Sequence, residues 1–191
     1  MLTVFAAFVA VFAITSPVVA KSSIYTVKGG SATFKPNSAA INALPASGIT
    51  LPTGATGAIS GPFAITKGAT LNTAKGTGSG KLASGQSFTV TIGTTPYTFG
   101  NFSFAIGKRK AYVIGTITGQ GSFKLFDVGG AKLQKTRGTY KYTYAGRHPN
   151  SGGTITFDPQ LVGFVNAALA GKGFTPLSPD TKLGTSVTKF K

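Results

Sequence analysis

Apolar and polar residues alternate in short runs along most of this chain. Phe88, Val90 and Ile92 are separated by Thr89 and Thr91. Phe102, Phe104 and Ile106 are separated by Ser103 and Ala105, and Tyr140, Tyr142 and Tyr144 by Lys141 and Thr143. A period of two places each set on one face of a β-strand. Gly-containing turn signals punctuate the runs at Gly54, Gly57, Gly85, Gly93, Gly100, Gly107, Gly119, Gly129-Gly130 and Gly152-Gly153. Many short strands at this spacing predict an all-β fold, mainly an antiparallel β-sandwich. No Gly-rich phosphate loop or dinucleotide fingerprint falls between a strand and a helix.

Two segments depart from the alternation, and they resemble each other. Gly29-Gly30-Ser31-Ala32-Thr33-Phe34-Lys35-Pro36 is echoed by Gly152-Gly153-Thr154-Ile155-Thr156-Phe157-Asp158-Pro159. Each is followed by a stretch of small and apolar residues, Ala39 to Leu44 and Val165 to Leu169. Each copy reads as a strand followed by a helix. The helices are expected near Pro36–Leu44 and Pro159–Ala170, with proline at the first helical position, where no N–H is needed. Asp158 is a good N-cap and Lys35 a poor one. Leu161, Phe164, Val165, Ala168 and Leu169 lie at helical spacing, and Gly171 can end the helix.

The N-terminus has a different pattern. Val4 to Ile14 is a continuous apolar run, broken by Thr15-Ser16-Pro17 and followed by Val18-Val19-Ala20. Small residues before a cleavage point after Ala20 predict a secretory signal peptide over residues 1–20, although Met1-Leu2-Thr3 carries no basic side chain. The run is too short for a bilayer span of about 20 residues. Residues 21–191 then form one domain, expected to be secreted or held at a bacterial cell surface. The lack of cysteine means that this domain needs no disulfide staples.

Charge narrows the function classes. The chain has 19 Lys+Arg against three acids, all after Ala20, for a formal net charge of +16. Asp127, Asp158 and Asp180 are the acids, His148 is the single histidine, and there is no cysteine. Carboxylate pairs, His clusters and thiolates supply most hydrolytic, phosphoryl-transfer and metal chemistry. Asp158 reads as a helix cap and Asp180 as a turn residue. A non-enzymatic binding protein is therefore expected, with no catalytic and no metal-ligating set. Nine of the basic residues lie between Lys108 and Arg147 (Lys108, Arg109, Lys110, Lys124, Lys132, Lys135, Arg137, Lys141, Arg147), interleaved with Tyr112, Phe123, Phe126 and the three-tyrosine stripe. Basic and aromatic residues together bind anionic polymers by charge and stacking. Lys108, Arg109, Lys110, Arg137, Lys141 and Arg147 are the candidates for contact with an envelope polymer, an anionic lipid surface or nucleic acid. The alternative is a solvated strand edge that blocks aggregation. The tyrosine stripe can likewise face the core or stand as an exposed platform.

The stretch from Ser31 to Gly130 resembles the HtaA-like domain of actinobacterial surface and secreted proteins, and the resemblance extends over most of residues 21–191. Gly29–Phe34 is similar to the family's opening strand, and Leu44-Pro45-Ala46-Ser47-Gly48-Ile49 to its short helix with a Gly-Ile turn. Gly61-Pro62-Phe63-Ala64-Ile65-Thr66-Lys67-Gly68 resembles its Phe-Pro-Ile-Thr-Gly-Gly motif. Phe99-Gly100-Asn101-Phe102-Ser103-Phe104 resembles its Asn-Phe strand, and Leu125-Phe126-Asp127 its Leu-Phe-Asp segment. Phe157 to Gly184 resembles its closing helix and strand. The resemblance implies a secreted or surface-attached β-sandwich and makes haem a candidate ligand, held in that family by an axial Tyr with a nearby His. Gly80, in Gly76-Thr77-Gly78-Ser79-Gly80, stands about where the family has that His. Tyr112, Tyr142 and His148 are then the candidate haem ligands in this chain.

Overall fold

Period-two runs become strands because alternate side chains can then share one buried face. The computed structural model describes residues 24–51, 61–108, 110–130, 132–135, 142–145 and 153–191, the two segments between 131 and 152 as backbone only. The strands are β1 (Ile24–Thr26), β2 (Gly30–Pro36), β3 (Ile49–Thr50), β4 (Phe63–Ile65), β5 (Thr70–Asn72), β6 (Thr77–Lys81) and β7 (Phe88–Ile92). They continue with β8 (Thr95–Ile106), β9 (Lys110–Ile117), β10 (Gly121–Gly129), β11 (Lys132–Lys135), β12 (Tyr142–Ala145), β13 (Gly153–Phe157) and β14 (Lys182–Phe190). Two helices, α1 (Ser38–Ala43) and α2 (Pro159–Leu169), and a 3₁₀ turn at Leu44–Ser47 complete the described elements. The expected signal peptide, residues 1–20, lies outside the described residues.

The expected class stands: the protein is mostly antiparallel β with two short helices. The layering differs. One 14-stranded sheet runs in the order β1-β5-β6-β8-β9-β10-β13-β14-β12-β11, with β2, β4, β7 and β3 joined at its sides. It curls into a half-barrel and does not divide into the two faces of a clear sandwich. The reason lies in irregularities that bend long strands. β8 pairs with β7 through Thr95–Phe99 and with β6 through Ser103–Ile106, while β9 follows it along both halves. At the junction the β8–β9 register slips, so Asn101 and Phe102 together oppose Gly115. Asn101 has φ 51°, a left-handed conformation that Asn tolerates better than most residues. Its amide donates to Thr116 Oγ1 at 3.2 Å, and Thr116 Oγ1 donates to the Gly100 carbonyl at 3.2 Å. A bulge of this kind bends the strand and sharpens its twist.

The bulge also brings Phe99 and Phe102, three residues apart, into one core; both are buried. Phe88 stacks on both rings, at centroid distances of 5.4 and 5.5 Å. Gly115 is required opposite, because a Cβ there would lie 2.7 Å from Leu125 Cδ1 and 2.9 Å from Phe102 Cδ1.

The two echoed segments flank the same strand: β2 and β13 each pair antiparallel with β14. Their helix starts differ from expectation at the first copy. Asp158 does cap α2, accepting from the Gln160 N–H at 2.8 Å, with Pro159 in the first turn. In the first copy Pro36 ends the strand instead, and Asn37 is the cap, accepting from the Ala39 N–H at 3.2 Å. An Asn side chain can satisfy an orphan N–H where Lys35 cannot. Helix α2 buries Leu161, Val162, Val165 and Leu169 toward the sheet. Phe164 sits at its margin, edge-on to Tyr97 at 5.3 Å and tilted against Phe123 at 5.4 Å. Beyond α2, Asn166 clasps the return chain through two hydrogen bonds with the Leu177 backbone, at 2.8 and 3.0 Å.

Candidate functional site: an apolar cavity and an outer basic row

Curling the sheet leaves its concave side to be filled. Ile41, Leu44, Ile49 and Leu51 enter from α1, the 3₁₀ turn and β3, and Leu161 and Val165 enter from α2. They do not fill it. A cavity of about 190 Å³ remains, walled by strand residues that include Phe34, Phe88, Val90, Phe99, Phe102, Phe104, Ile106, Val113, Phe126, Val128, Ile155 and Phe157. Protein interiors pack like organic crystals, with few voids larger than a water molecule. An engineered void of about 150 Å³ lined by apolar side chains stays dry and takes up small apolar molecules. The space here is larger and as apolar. An apolar guest seated there would gain contacts with this wall and remove its own apolar surface from water.

The opposite side of the sheet carries charge. In the pairing of β6, β8, β9 and β10, Lys81 lies opposite Ser103, Ser103 opposite Ile114, and Ile114 opposite Lys124. In the neighbouring row Ala105, Tyr112 and Asp127 are partners. Lys110 Nζ and Lys124 Nζ lie 5.0 and 4.6 Å from the centre of the Tyr112 ring, within cation–π range. Lys110 also pairs with Asp127 Oδ2 at 2.7 Å. The pKa of Lys110 is raised, first by this hydrogen bond; desolvation opposes the rise, and the charge of the Asp127 carboxylate adds to it. The other carboxylate oxygen, Asp127 Oδ1, is buried without a hydrogen-bond partner among the described residues.

Of the sequence candidates, Lys108, Lys110, Tyr112 and the backbone of Tyr142 fall within the described residues. Lys108 is exposed in the β8–β9 turn, whose ends are tied by the Gly107 N–H donating to the Lys110 carbonyl at 2.9 Å. Lys110 is engaged by Asp127. Tyr112 belongs to the cavity wall between Ala111 and Val113, but its ring is held by the two lysines. Tyr142 opens β12, opposite Phe190 of β14. Arg109, Arg137, Lys141, Arg147 and His148 lie outside the described residues, as does Tyr140. Lys81 lay outside the basic cluster of the sequence, and strand pairing puts it in one cross-strand row with Lys124, with Ser103 and Ile114 between them.

Haem iron is held by His, Cys, Met or Tyr. Among the described residues lining the cavity, Tyr112 is the one such donor, and its ring lies beside two ammonium groups. Gly80 has a packing reason to lack a side chain: a Cβ would overlap Ala69 Cβ and stand 2.7 Å from Phe104 Cζ. Comparison with known proteins finds no matching family model, no matching curated protein and no matching solved structure.

Proposed function

We propose that this chain is a non-enzymatic binding protein, exported and of HtaA-like type, that takes a small apolar molecule into the concave side of its sheet. The observation that carries this reading is the cavity of about 190 Å³ with its almost wholly apolar wall. Export rests on the Val4–Ile14 run and the Val18-Val19-Ala20 site. Apolar ligands in protein pockets are held by area removed from water and by fit, with a few polar groups setting orientation. Titration with N-phenylnaphthylamine, a neutral fluorophore that brightens in apolar surroundings, tests it. Saturable enhancement is expected, lost when Val113→Trp fills the cavity. Enhancement that is absent, or unchanged in that variant, would remove the reading. A parallel hemin titration, read at the Soret band in wild type, His148→Ala and Tyr142→Phe, separates haem from smaller guests.

A second reading is favoured by the Lys81–Lys124 row and the net charge of +16: the outer face holds an anionic envelope polymer. Such binding is driven by counterion release and weakens steeply with salt. On an anionic matrix, Lys81→Ala/Lys124→Ala should elute at markedly lower salt than Lys35→Ala/Lys172→Ala, which removes equal charge elsewhere. Equal elution would leave general charge as the whole effect.

A further inference from the structure

The cavity wall has a polar spot, and it is built by a register change in β14. The pairing of β13 with β14 passes from Ile155 opposite Gly184 to Thr156 opposite Lys182, so Leu183 is an extra residue. Gly184 has φ 154°, and a Cβ there would overlap the Lys35 carbonyl of β2. The bulge changes which alternate residues face inward. Leu183 lines the cavity before it, and Ser186 and Thr188 line it afterwards, on the same face as buried Phe190. Phe190 confirms that orientation by its contact with Phe104, another wall residue, at 5.7 Å. Strand β14 is flanked by β2 on one side and by β13 and β12 on the other, so these two side chains stand mid-sheet and away from any edge.

Neither hydroxyl has a hydrogen-bond partner among the described residues, whereas nearby Thr33 Oγ1 donates to the Val187 carbonyl at 3.3 Å. Two positions apart on one strand face, Ser186 and Thr188 are separated by about 7 Å. Each hydroxyl can both donate and accept, so both are available to a guest. No Lys or Arg lines the cavity among the described residues, so an ionised head group would be buried there uncompensated.

We propose that the ligand is a neutral amphiphile. Its apolar body fills the cavity, and a single hydroxyl or carbonyl group bonds with Ser186 or Thr188. This rests on the cavity reading above and names the chemical class of its guest.

The test is displacement of N-phenylnaphthylamine by three ligands that share one chain: octane, octanol and octanoate, at a pH where octanoate is ionised. Octanol should displace the probe at about tenfold lower concentration than octane, the size expected of one or two net hydrogen bonds. Octanoate should be the weakest. In Ser186→Ala/Thr188→Val the octanol advantage should vanish while octane binds as before, which also reports that the variant is folded. If that double variant fails to fold, Ser186→Ala and Thr188→Val read the same point singly, since one of the two should lose the preference, and Thr188→Ser, which keeps the hydroxyl, should keep it. Equal binding of octanol and octane to wild type, an octanol advantage that survives loss of the hydroxyls, or octanoate binding tightest would each overturn the proposal and leave the apolar cavity standing. Failure of the probe itself to bind would overturn both.

Discussion

Ala111 is the smallest side chain in a cross-strand row of larger ones, Ile106, Ala111, Val128 and Ile155, all of which line the cavity. Ala111→Leu therefore tests whether the space exists. The substitution adds three carbons. If they enter the cavity they remove about 0.8 kcal/mol each of apolar exposure, or about 2.4 kcal/mol together. Ordering a Leu side chain costs about 0.5–1 kcal/mol. The net is a gain of about 1.5 kcal/mol, which for a domain of this size raises Tm by about 3–6 °C. In a core that is already full the sign reverses, because added carbons force strain worth about 1–3 kcal/mol. Urea denaturation and thermal melting of wild type and variant read the sign directly, and probe affinity should fall in the same protein. Loss of stability together with undiminished probe binding would refute the cavity and everything argued from it.

Four further outcomes are expected. Gly80→His, which supplies the residue the HtaA-like pattern has there, should destabilise by at least about 1–3 kcal/mol in urea and give no new Soret shift, because the side chain meets Ala69 and Phe104. Gly115→Ala should lower stability by a similar ~1–3 kcal/mol through contact with Leu125 and Phe102, and an unchanged midpoint would disprove the bulge packing. Asn166→Ala, which releases both bonds to Leu177, should cost about 1–3 kcal/mol, measured the same way. The Lys110–Asp127 pair sets a pH dependence: the raised Lys110 pKa contributes stability that is complete below its ordinary value of 10.5 and is lost as pH rises through the higher folded value. Lys110 is half exposed, so the loss is small, at most about 1 kcal/mol, and Asp127→Asn should abolish it; an identical alkaline profile in that variant would contradict the assignment.

Strand existence was legible in the chain because alternation is local. The Phe88–Ile92 and Phe102–Ile106 runs became β7 and the end of β8, and α2 was readable from its spacing, its Asp158 cap and Pro159. The charge and the scarcity of catalytic side chains are likewise properties of composition alone. What alternation cannot report is where it breaks. The bulge at Asn101–Phe102 brings Phe99 and Phe102 to the same side, and the one at Leu183–Gly184 turns Ser186 and Thr188 inward. Each shifts a period-two pattern by one residue, which exchanges the two faces of everything beyond it. Those slips are decided by partners far along the chain, Gly115 for one and Lys35 for the other. The same holds for the half-barrel, the cavity on its concave side and the Lys81–Lys124 row: each arises from pairing between strands, and so belongs to the tertiary structure.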